Sequence, residues 1–302
     1  MQAFVPKRYP FLPVVVAVFL AAVGAWSAQA QTATTAVGTT NAPTGHLCTW
    51  ELPPIAVNGS TNDLLREEEL IGPNEQPRWT TQRRFPKVRV YEIAEGEQEF
   101  EYWTRVDVPK DSNEPIEVQH YFEFEVGLPY RLQFDAYLVL RNEDGGFDGQ
   151  TYFDGQFEMR YAFAKWGEIF GNPTAYLEYI WREATADKVE AKMLFGDELA
   201  PRWHWGLNLV TEDETSGDRE YEQSVTAGLS YTVLDEGFSI GVEAEDAWAD
   251  TVDNRGHYSN GLFVGPSIQV RTSRSTHVNI TPLIGVHGNE AAKIFFNAGW
   301  EF

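Results

Sequence analysis

A stretch in the middle of the chain shows the clearest alternation of apolar and polar residues. Between residues 116 and 141 the two kinds alternate in steps of two, interrupted by the sequence GLPY. Because successive side chains of a β-strand point to opposite faces, the stretch predicts two antiparallel strands with one apolar and one charged face. A soluble sandwich would bury the apolar face between two sheets. A membrane barrel instead turns that face towards lipid and encloses the charged one.

The same alternation recurs to the end of the chain and predicts twelve strands. An even number of strands returns the chain to the side on which it began, as closed single-chain bacterial barrels require. Short and long connections alternate over much of the chain, except at 164–173, where we expect a helical turn. We therefore predict an all-β fold, a closed antiparallel up-and-down transmembrane β-barrel. Its predicted strands are 97–109, 116–128, 130–141, 151–163, 174–182, 188–195, 203–211, 223–234, 238–247, 261–271, 278–286 and 291–302.

Three residues disagree with this pattern. His120 interrupts the predicted lipid-facing set of its strand. Pro266 and Pro282 each remove a ladder hydrogen bond, although a closed barrel has no free edge to tolerate the loss. We expect a local bulge to absorb each proline.

The first thirty residues have the pattern of a secretory signal. Lys7 and Arg8 precede an apolar run over 11–26, and Ala28-Gln29-Ala30 is a small-x-small cleavage site that would place Gln31 at the mature N-terminus. An uncleaved anchor is the alternative. We therefore predict a signal peptide over 1–30 and export to the cell outer membrane.

Residues 31–96 precede the predicted barrel, which occupies 97–302. The part up to residue 49 is rich in Thr, Ala, Gly and Pro and predicts a linker. The part from residue 50 carries acidic residues at 67–69, followed by basic and aromatic residues. Two interpretations stay open: a periplasmic plug that enters the lumen or its mouth and pairs with inward carboxylates, or a solvated arm. The basic and aromatic residues are Arg78, Trp79, Arg83, Arg84, Phe85, Lys87, Arg89 and Tyr91.

Composition narrows the class of partner and chemistry. A formal net charge of -22 argues against a nucleic-acid partner. The chain has 1 cysteine, Cys48, so an intrachain disulfide is impossible. The sequence contains no HExxH motif of metalloproteases, no GxSxG motif of serine hydrolases and no phosphate-binding Walker loop. The acidic stretch 142–148 has the wrong spacing for an EF-hand calcium loop. We predict no cofactor and no catalytic metal.

The inward-facing charges are the candidate substrate-binding residues. On a narrow twelve-stranded bore, opposite charges either pair and fill the lumen, or face one another and orient a small polar solute. We therefore predict a channel for passive diffusion of small polar or charged solutes, not an enzyme, with a plugged structural or adhesive barrel as the alternative. The candidates are Glu123, Arg131, Asp135, Asp154, Glu158, Arg160, Glu178, Arg182, Glu190 and Lys192.

The last twelve residues, 291–302, resemble the C-terminal strand of Gram-negative outer-membrane proteins, which commonly ends on Phe or Trp. With the signal sequence and the strand pattern, the chain resembles porin-like, uncharacterised outer-membrane barrels grouped as transporters. The resemblance implies that the barrel-assembly machinery recognises Phe302 and that lipid surrounds the barrel. Acidic stretches at 212–222 and 245–253 are either solvated loops or sites for divalent bridges to lipopolysaccharide.

A second, partial resemblance concerns catalysis. His257, Ser259, Asn260 and Gly261 are similar to the His-x-Ser-Asn-Gly stretch of outer-membrane phospholipase A, in which His activates Ser on the lipid-facing side. In this chain the residues that are predicted to face lipid have even numbers, as Leu262 does. We therefore expect His257 and Ser259 to lie in a loop or to face inward, and a lipid hydrolase remains the alternative function.

Overall fold

The structure, a computed structural model, describes residues 65–142 and 151–302. The predicted signal peptide, the linker, Cys48 and most of the acidic stretch 142–148 lie outside the described residues. No helix in the described ranges is long and apolar enough to cross a membrane.

The described residues form a closed antiparallel barrel of twelve strands, which confirms the predicted fold class. Each strand pairs with the next along the chain, and the last strand closes the barrel against the first, with Phe296 opposite Thr104. The strands are β3 (Gln98–Pro109), β4 (Glu117–Leu128), β5 (Leu132–Asn142), β6 (Thr151–Ala162), β7 (Thr174–Trp181), β8 (Lys188–Ala200), β9 (Trp203–Glu214), β10 (Tyr221–Leu234), β11 (Phe238–Asp250), β12 (Ser259–Ser273), β13 (Thr276–His287) and β14 (Glu290–Glu301).

Strand ends differ from prediction where polar residues continue a strand. β8 extends to Ala200 and β9 to Glu214, so the predicted connections 196–202 and 212–222 are shorter than expected. The reason is that ladder hydrogen bonds continue beyond the band of outward apolar residues, where the apolar alternation stops. The expected helical turn at 164–173 is wrong: this segment consists of non-helical bends and turns.

Side chains alternate between two environments along the strands. Outward apolar residues such as Phe157 and Leu177 are more than half exposed, whereas inward residues such as Glu123 and Glu158 are buried. His120 does face outward, and the Tyr102 hydroxyl lies 2.9 Å from its Nδ1. This hydrogen bond satisfies the imidazole within the apolar set.

The two prolines are accommodated by a gap in pairing. Between the pairs Val264–Ile284 and Ile268–Ile280 the β12–β13 ladder is interrupted, yet its register is unchanged across the gap. A bulge at the prolines is therefore not needed. The register shifts of this strand pair fall elsewhere, at Leu262–Phe263 and Arg271–Ser273.

Residues 65–96, here called the plug segment, enter the barrel at its terminal end, where β3 begins and β14 ends. The segment contains two 3-10 turns, Arg66–Glu68 and Arg78–Thr81, and a two-residue pair between β1 (Leu70–Ile71) and β2 (Gln76–Pro77). An extended stretch then leads to β3. Its apolar side chains are buried and form a small core against the inner wall: Trp79, Phe85, Val88, Tyr91 and Ile93.

Inner-wall glycines make room for this core. A Cβ on Gly228 would lie 2.6 Å from Cδ1 of Phe85, and one on Gly206 would lie 2.8 Å from Cγ1 of Val88. Real Cβ atoms do not approach so closely. The wall is therefore shaped to the plug segment at these positions, which places the plug inside the packed structure.

Candidate functional site: the plug segment and the buried charges of the inner wall

A row of buried carboxylates lies on the inner wall of β3 and β4. The register sets Glu101 opposite Glu123 and Glu99 opposite Glu125, and all four residues are at most 3% exposed. Like charges directly opposite one another destabilise a sheet. These strands therefore need positive charge from elsewhere, and Glu101, Glu123 and Glu125 are called the carboxylate cluster below.

Arg83 of the plug segment supplies part of that charge. Its Nη2 lies 2.5 Å from Oε2 of Glu101, 2.7 Å from Oε2 of Glu123 and 3.4 Å from Oε1 of Glu125. The ring of Trp103 lies beside the same guanidinium, with its centroid 5.4 Å from Cζ. Three carboxylates and an aromatic face thus surround one cation.

Arg89 supplies the second positive charge. Its Nη2 lies 2.5 Å from Oε1 of Glu123, and its Nη1 lies 3.3 Å from Oε1 of Glu125. The same Nη2 donates to the Tyr137 hydroxyl at 3.2 Å. The pKa of Arg89 is raised, because attraction from Glu123 and its neighbours exceeds the opposing effect of burial. The guanidinium therefore stays charged.

Wall amides hold the backbone of the plug segment. Asn208 accepts a hydrogen bond from the amide of Arg89 at 2.9 Å and donates to its carbonyl at 2.7 Å. Gln269 and Asn279 donate to the carbonyl of Arg83 at 3.0 and 2.5 Å. Backbone groups that leave water need such partners. The wall therefore satisfies main-chain as well as side-chain groups of the plug.

A further set of contacts fixes the plug segment nearer the terminal end. Arg84 donates to Glu67 at 2.8 Å and to Thr232 at 2.8 Å. Trp79 Nε1 donates to Glu198 at 2.8 Å. This part of the plug is therefore anchored independently of the carboxylate cluster.

Glu92 is a buried acid within the plug segment. Burial raises its pKa to about 8, although the hydrogen bond from Asn74 at 2.7 Å favours the charged form. Desolvation of the carboxylate outweighs that bond and the nearby charge of Arg131. The folded plug thus retains a proton on Glu92 at neutral pH.

Beyond the carboxylate cluster the lumen widens into a cavity of about 420 Å³, here called the vestibule. Its floor consists of plug residues Arg83, Pro86, Lys87 and Arg89. Its wall comes from the halves of the strands that lie away from the terminal end, towards the opposite, distal end of the barrel. On the other side of Arg83 lies a smaller cavity of about 20 Å³ between plug and wall, which is close to the space of one water molecule. The plug segment therefore occupies the lumen between the vestibule and the terminal end.

Charges on the vestibule wall are largely paired within the wall. Arg141 Nε lies 2.9 Å from Asp154. Lys188 lies 2.7 Å from Glu212, and Lys192 2.6 Å from Glu190. These wall charges pair without the plug, whereas Glu245 has one partner on the wall, Lys293 at 3.1 Å, and one on the plug, Lys87 at 3.0 Å.

The predicted lumen residues divide between these regions. Glu123, Asp135, Glu158 and Arg160 lie at the level of the plug, with Arg160 3.1 Å from Asp135 and also paired with Glu158. Arg131 is misplaced in the prediction: it lies in the turn before β5, where its guanidinium donates to the outward-facing Tyr161 hydroxyl at 3.4 Å. A positive φ of 63° ends the alternation there. The remaining five line the vestibule: Asp154, Glu178, Arg182, Glu190 and Lys192.

Sequence reasoning did not single out Glu99, Glu101 and Glu125 as site residues. All three share the inward parity of Glu123 on the neighbouring strands β3 and β4. The signal was therefore present in the alternation Glu-Phe-Glu-Tyr-Trp at 99–103. Their importance depends on the plug cations, whose placement the alternation does not reveal.

Within the described ranges, three buried groups have the ligand spacing of a metal site: Glu99–Glu101–His277, Glu101–Glu123–Glu125 and Glu123–Asp135–Glu158. Arg83 or Arg160 contacts carboxylates of the last two. In the first, the two ring nitrogens of His277 face different carboxylates, at 3.3 Å from Glu99 and 3.2 Å from Glu101. One ion cannot use both nitrogens, so the geometry suits an imidazole bridging two acids better than a metal centre.

His257 and Ser259 lie at the distal end. His257 belongs to the connection 251–258, and Ser259 begins β12, where its hydroxyl donates to the Ala249 carbonyl at 3.3 Å. The hydroxyl therefore contacts a backbone acceptor, in place of the imidazole that the phospholipase resemblance would require.

The fold and the polar, plugged lumen together define a β-barrel of the outer-membrane type. The chain is similar in fold to the COG4313 outer membrane channel from Pseudomonas putida F1, with a TM-score of 0.53 and 10% identity over 70% of this chain and 97% of that one. KdgM porin and NanC porin each give a TM-score of 0.47, at 7% and 10% identity, over 68% of this chain and 99% and 98% of theirs. No protein-family model and no curated protein matches the sequence.

Proposed function

We propose that this protein is an outer-membrane channel for passive diffusion of small polar or charged solutes through a narrow, charge-lined lumen, closed in this structure by the plug segment. The observation that carries the proposal is the vestibule of about 420 Å³, which ends on Arg83, Pro86, Lys87 and Arg89 instead of on the barrel wall. Displacing this one segment would join the vestibule to the terminal end.

The wall is suited to such a path. Inward charges on the vestibule wall pair with one another, so water and solutes meet a polar surface of both signs. Twelve strands enclose a bore between the side-chain-filled interior of eight strands and the wide channel of sixteen. The similarity in fold to an outer-membrane channel is consistent with this role.

The orientation follows from the connections. Barrels of this type have short periplasmic turns and longer external loops, and the connections at the terminal end include 201–202 and 274–275. We propose that the terminal end faces the periplasm, that the plug enters from that side, and that the outward apolar band contacts lipid. Recognition of Phe302 by the barrel-assembly machinery is part of the same proposal.

Single-channel recording in planar bilayers tests the proposal. A Cβ on Gly206 would lie 2.8 Å from Val88 Cγ1, so cysteines at these two positions fall within reach of a disulfide. We expect the V88C/G206C variant, made with Cys48→Ser, to be silent when oxidised and to show conducting steps when reduced. The single Val88→Cys variant is the matched control, and its conductance should be the same under oxidising and reducing conditions.

A plugged structural or adhesive barrel is the second candidate. It is favoured by the tight fit of the plug, in which wall amides bind both the amide and the carbonyl of Arg89. Removal of residues 65–96 separates the two functions. Conductance steps from the barrel that lacks this segment would support the channel function. A folded barrel that shows no conductance would support the structural role.

A further inference from the structure

The charges around the plug are unevenly shared between wall and plug. Among the described residues of β3 to β6, the buried inward charges at this level are carboxylates with one guanidinium, that of Arg160. Arg83 and Arg89 of the plug add the other two guanidiniums. The wall carboxylates are Glu99, Glu101, Glu123, Glu125, Asp135 and Glu158.

We propose that the carboxylate cluster is the solute site of the open channel, that it selects cations carrying a guanidinium or amine, and that Arg83 and Arg89 occupy it in the closed state as substitutes for the solute. The inference rests on the proposed channel function and specifies its solute class. It follows from the way the cluster holds these two side chains, not from its acidity alone.

The cluster has the features of a guanidinium site. Glu123 accepts from both plug arginines, with one carboxylate oxygen 2.7 Å from Arg83 and the other 2.5 Å from Arg89. Trp103 donates to Glu123 at 2.9 Å, which fixes the carboxylate, and presents its ring to Arg83. A planar guanidinium combines charge, directed donors and stacking on a ring, and this site supplies a partner for each.

One buried amide in the same region is still free. Neither amide atom of Gln82 has a hydrogen-bond partner among the described residues, although the residue is only 2% exposed. Gln82 lines the gap beneath Arg83 together with Glu99, whose Oε1 lies 3.3 Å from Nδ1 of His277. The gap beside the carboxylates therefore offers an unused hydrogen-bond acceptor.

The site lies on the solute's path. Arg83, Arg89, Trp103 and Tyr137 all line the vestibule, so a solute entering from the distal end meets this layer first. Once the plug moves, the carboxylate cluster loses both guanidiniums that it contacts, whereas Arg160 stays paired with Asp135 and Glu158. Acidic rings in a narrow, low-dielectric bore attract cations and exclude anions.

The test uses the full-length R83Q/R89Q variant, in which the plug keeps its apolar anchors but loses both substitutes. We expect this variant to conduct, to prefer K⁺ over Cl⁻ by about tenfold or more in a KCl gradient, and to be blocked by L-arginine but not by L-glutamate. Adding Glu123→Gln to the variant should reduce both the preference and the block. Lys87→Gln is the matched control, because Lys87 pairs with Glu245 at 3.0 Å, away from the cluster.

A binding measurement keeps the inference falsifiable if the double variant opens rarely. Titration of the detergent-solubilised variant with L-arginine should give binding that the wild type and the Glu123→Gln triple variant lack. Conducting pores without cation preference, or no arginine binding by a folded variant, would overturn this inference and leave the channel function standing. Silence of the reduced V88C/G206C variant and of the barrel lacking residues 65–96 would overturn the channel function itself and, with it, this inference.

Discussion

The two halves of the lumen neutralise their charges in different ways. In the vestibule, acids and bases pair along the wall itself, as Lys192 does with Glu190 at 2.6 Å. At the level of the plug, the acids belong mainly to the wall and the bases mainly to the plug, as in the contact of Arg83 with Glu101.

This difference has a structural consequence. Where acids and bases of the wall pair with one another, most of their charge is neutralised without the plug. Where the wall carries mainly buried carboxylates, their charge is neutralised only when a cation from outside the wall is present. Removing charges from the two halves should therefore have unequal effects, and the following predictions test that inequality.

The largest effect is expected for Arg83→Gln. The substitution removes the nearest cation of Glu101 and one of the two guanidiniums beside Glu123 and Glu125. Breaking a buried ion pair costs about 3–5 kcal/mol. Urea unfolding in detergent should show the loss in the free energy of unfolding. A variant as stable as the wild type would mean that the carboxylates of the cluster are neutral, and would remove the asymmetry between the halves.

Glu92 should make the stability of the plug depend on pH. Its pKa is raised to about 8 in the folded protein, against an ordinary value of 4.5. The folded state therefore binds more protons than the unfolded state between these values, so its stability is greatest below about pH 4.5 and falls as the pH rises towards 8.

Urea midpoints measured from pH 5 to pH 9 check this prediction, with Glu92→Gln as the control. The difference between wild type and variant should change across this range and level off above it. A difference that is constant with pH would contradict the predicted protonation of Glu92.

Gly228→Ala should have a smaller effect. The added methyl would lie 2.6 Å from the Phe85 ring, and overpacking of this kind costs about 1–3 kcal/mol. Phe85→Leu in the same chain should restore part of the loss. Gly155→Ala is the matched control, because its nearest neighbouring atom would be 3.7 Å away. Equal losses from both glycines would show that the wall is not fitted to Phe85.

The smallest effect is expected for Lys192→Gln in the vestibule. Its side chain is 17% exposed and lines the vestibule, where water can replace its contact with Glu190, so the cost should be below about 1 kcal/mol. Urea unfolding of both variants under the same conditions compares the loss in the free energy of unfolding of Lys192→Gln with that of Arg83→Gln. A loss as large as that of Arg83→Gln would show that the two halves depend equally on their ion pairs.

Much of the barrel could be predicted from the sequence. Alternation in steps of two fixes which side chains of a strand share a face, and a single outward apolar surface makes that alternation visible, as at Phe153 and Phe157. The candidate site was predictable only in part. The alternation along the strands identified Glu123 and Asp135 as inward-facing. It placed Arg131 on the inner wall as well, because alternation does not show where a strand ends and a turn begins.

The sequence by itself determined the strands, their order and the sign of charge on each inner face, because those properties depend on neighbours along one strand. It left open whether residues 65–96 lie in solvent or in the lumen. Only the tertiary structure decided that Arg83 and Arg89 meet Glu101, Glu123 and Glu125. Closing the barrel brings distant stretches of chain together, and pairing across that distance depends on the shape of the enclosed space, which local patterns do not record.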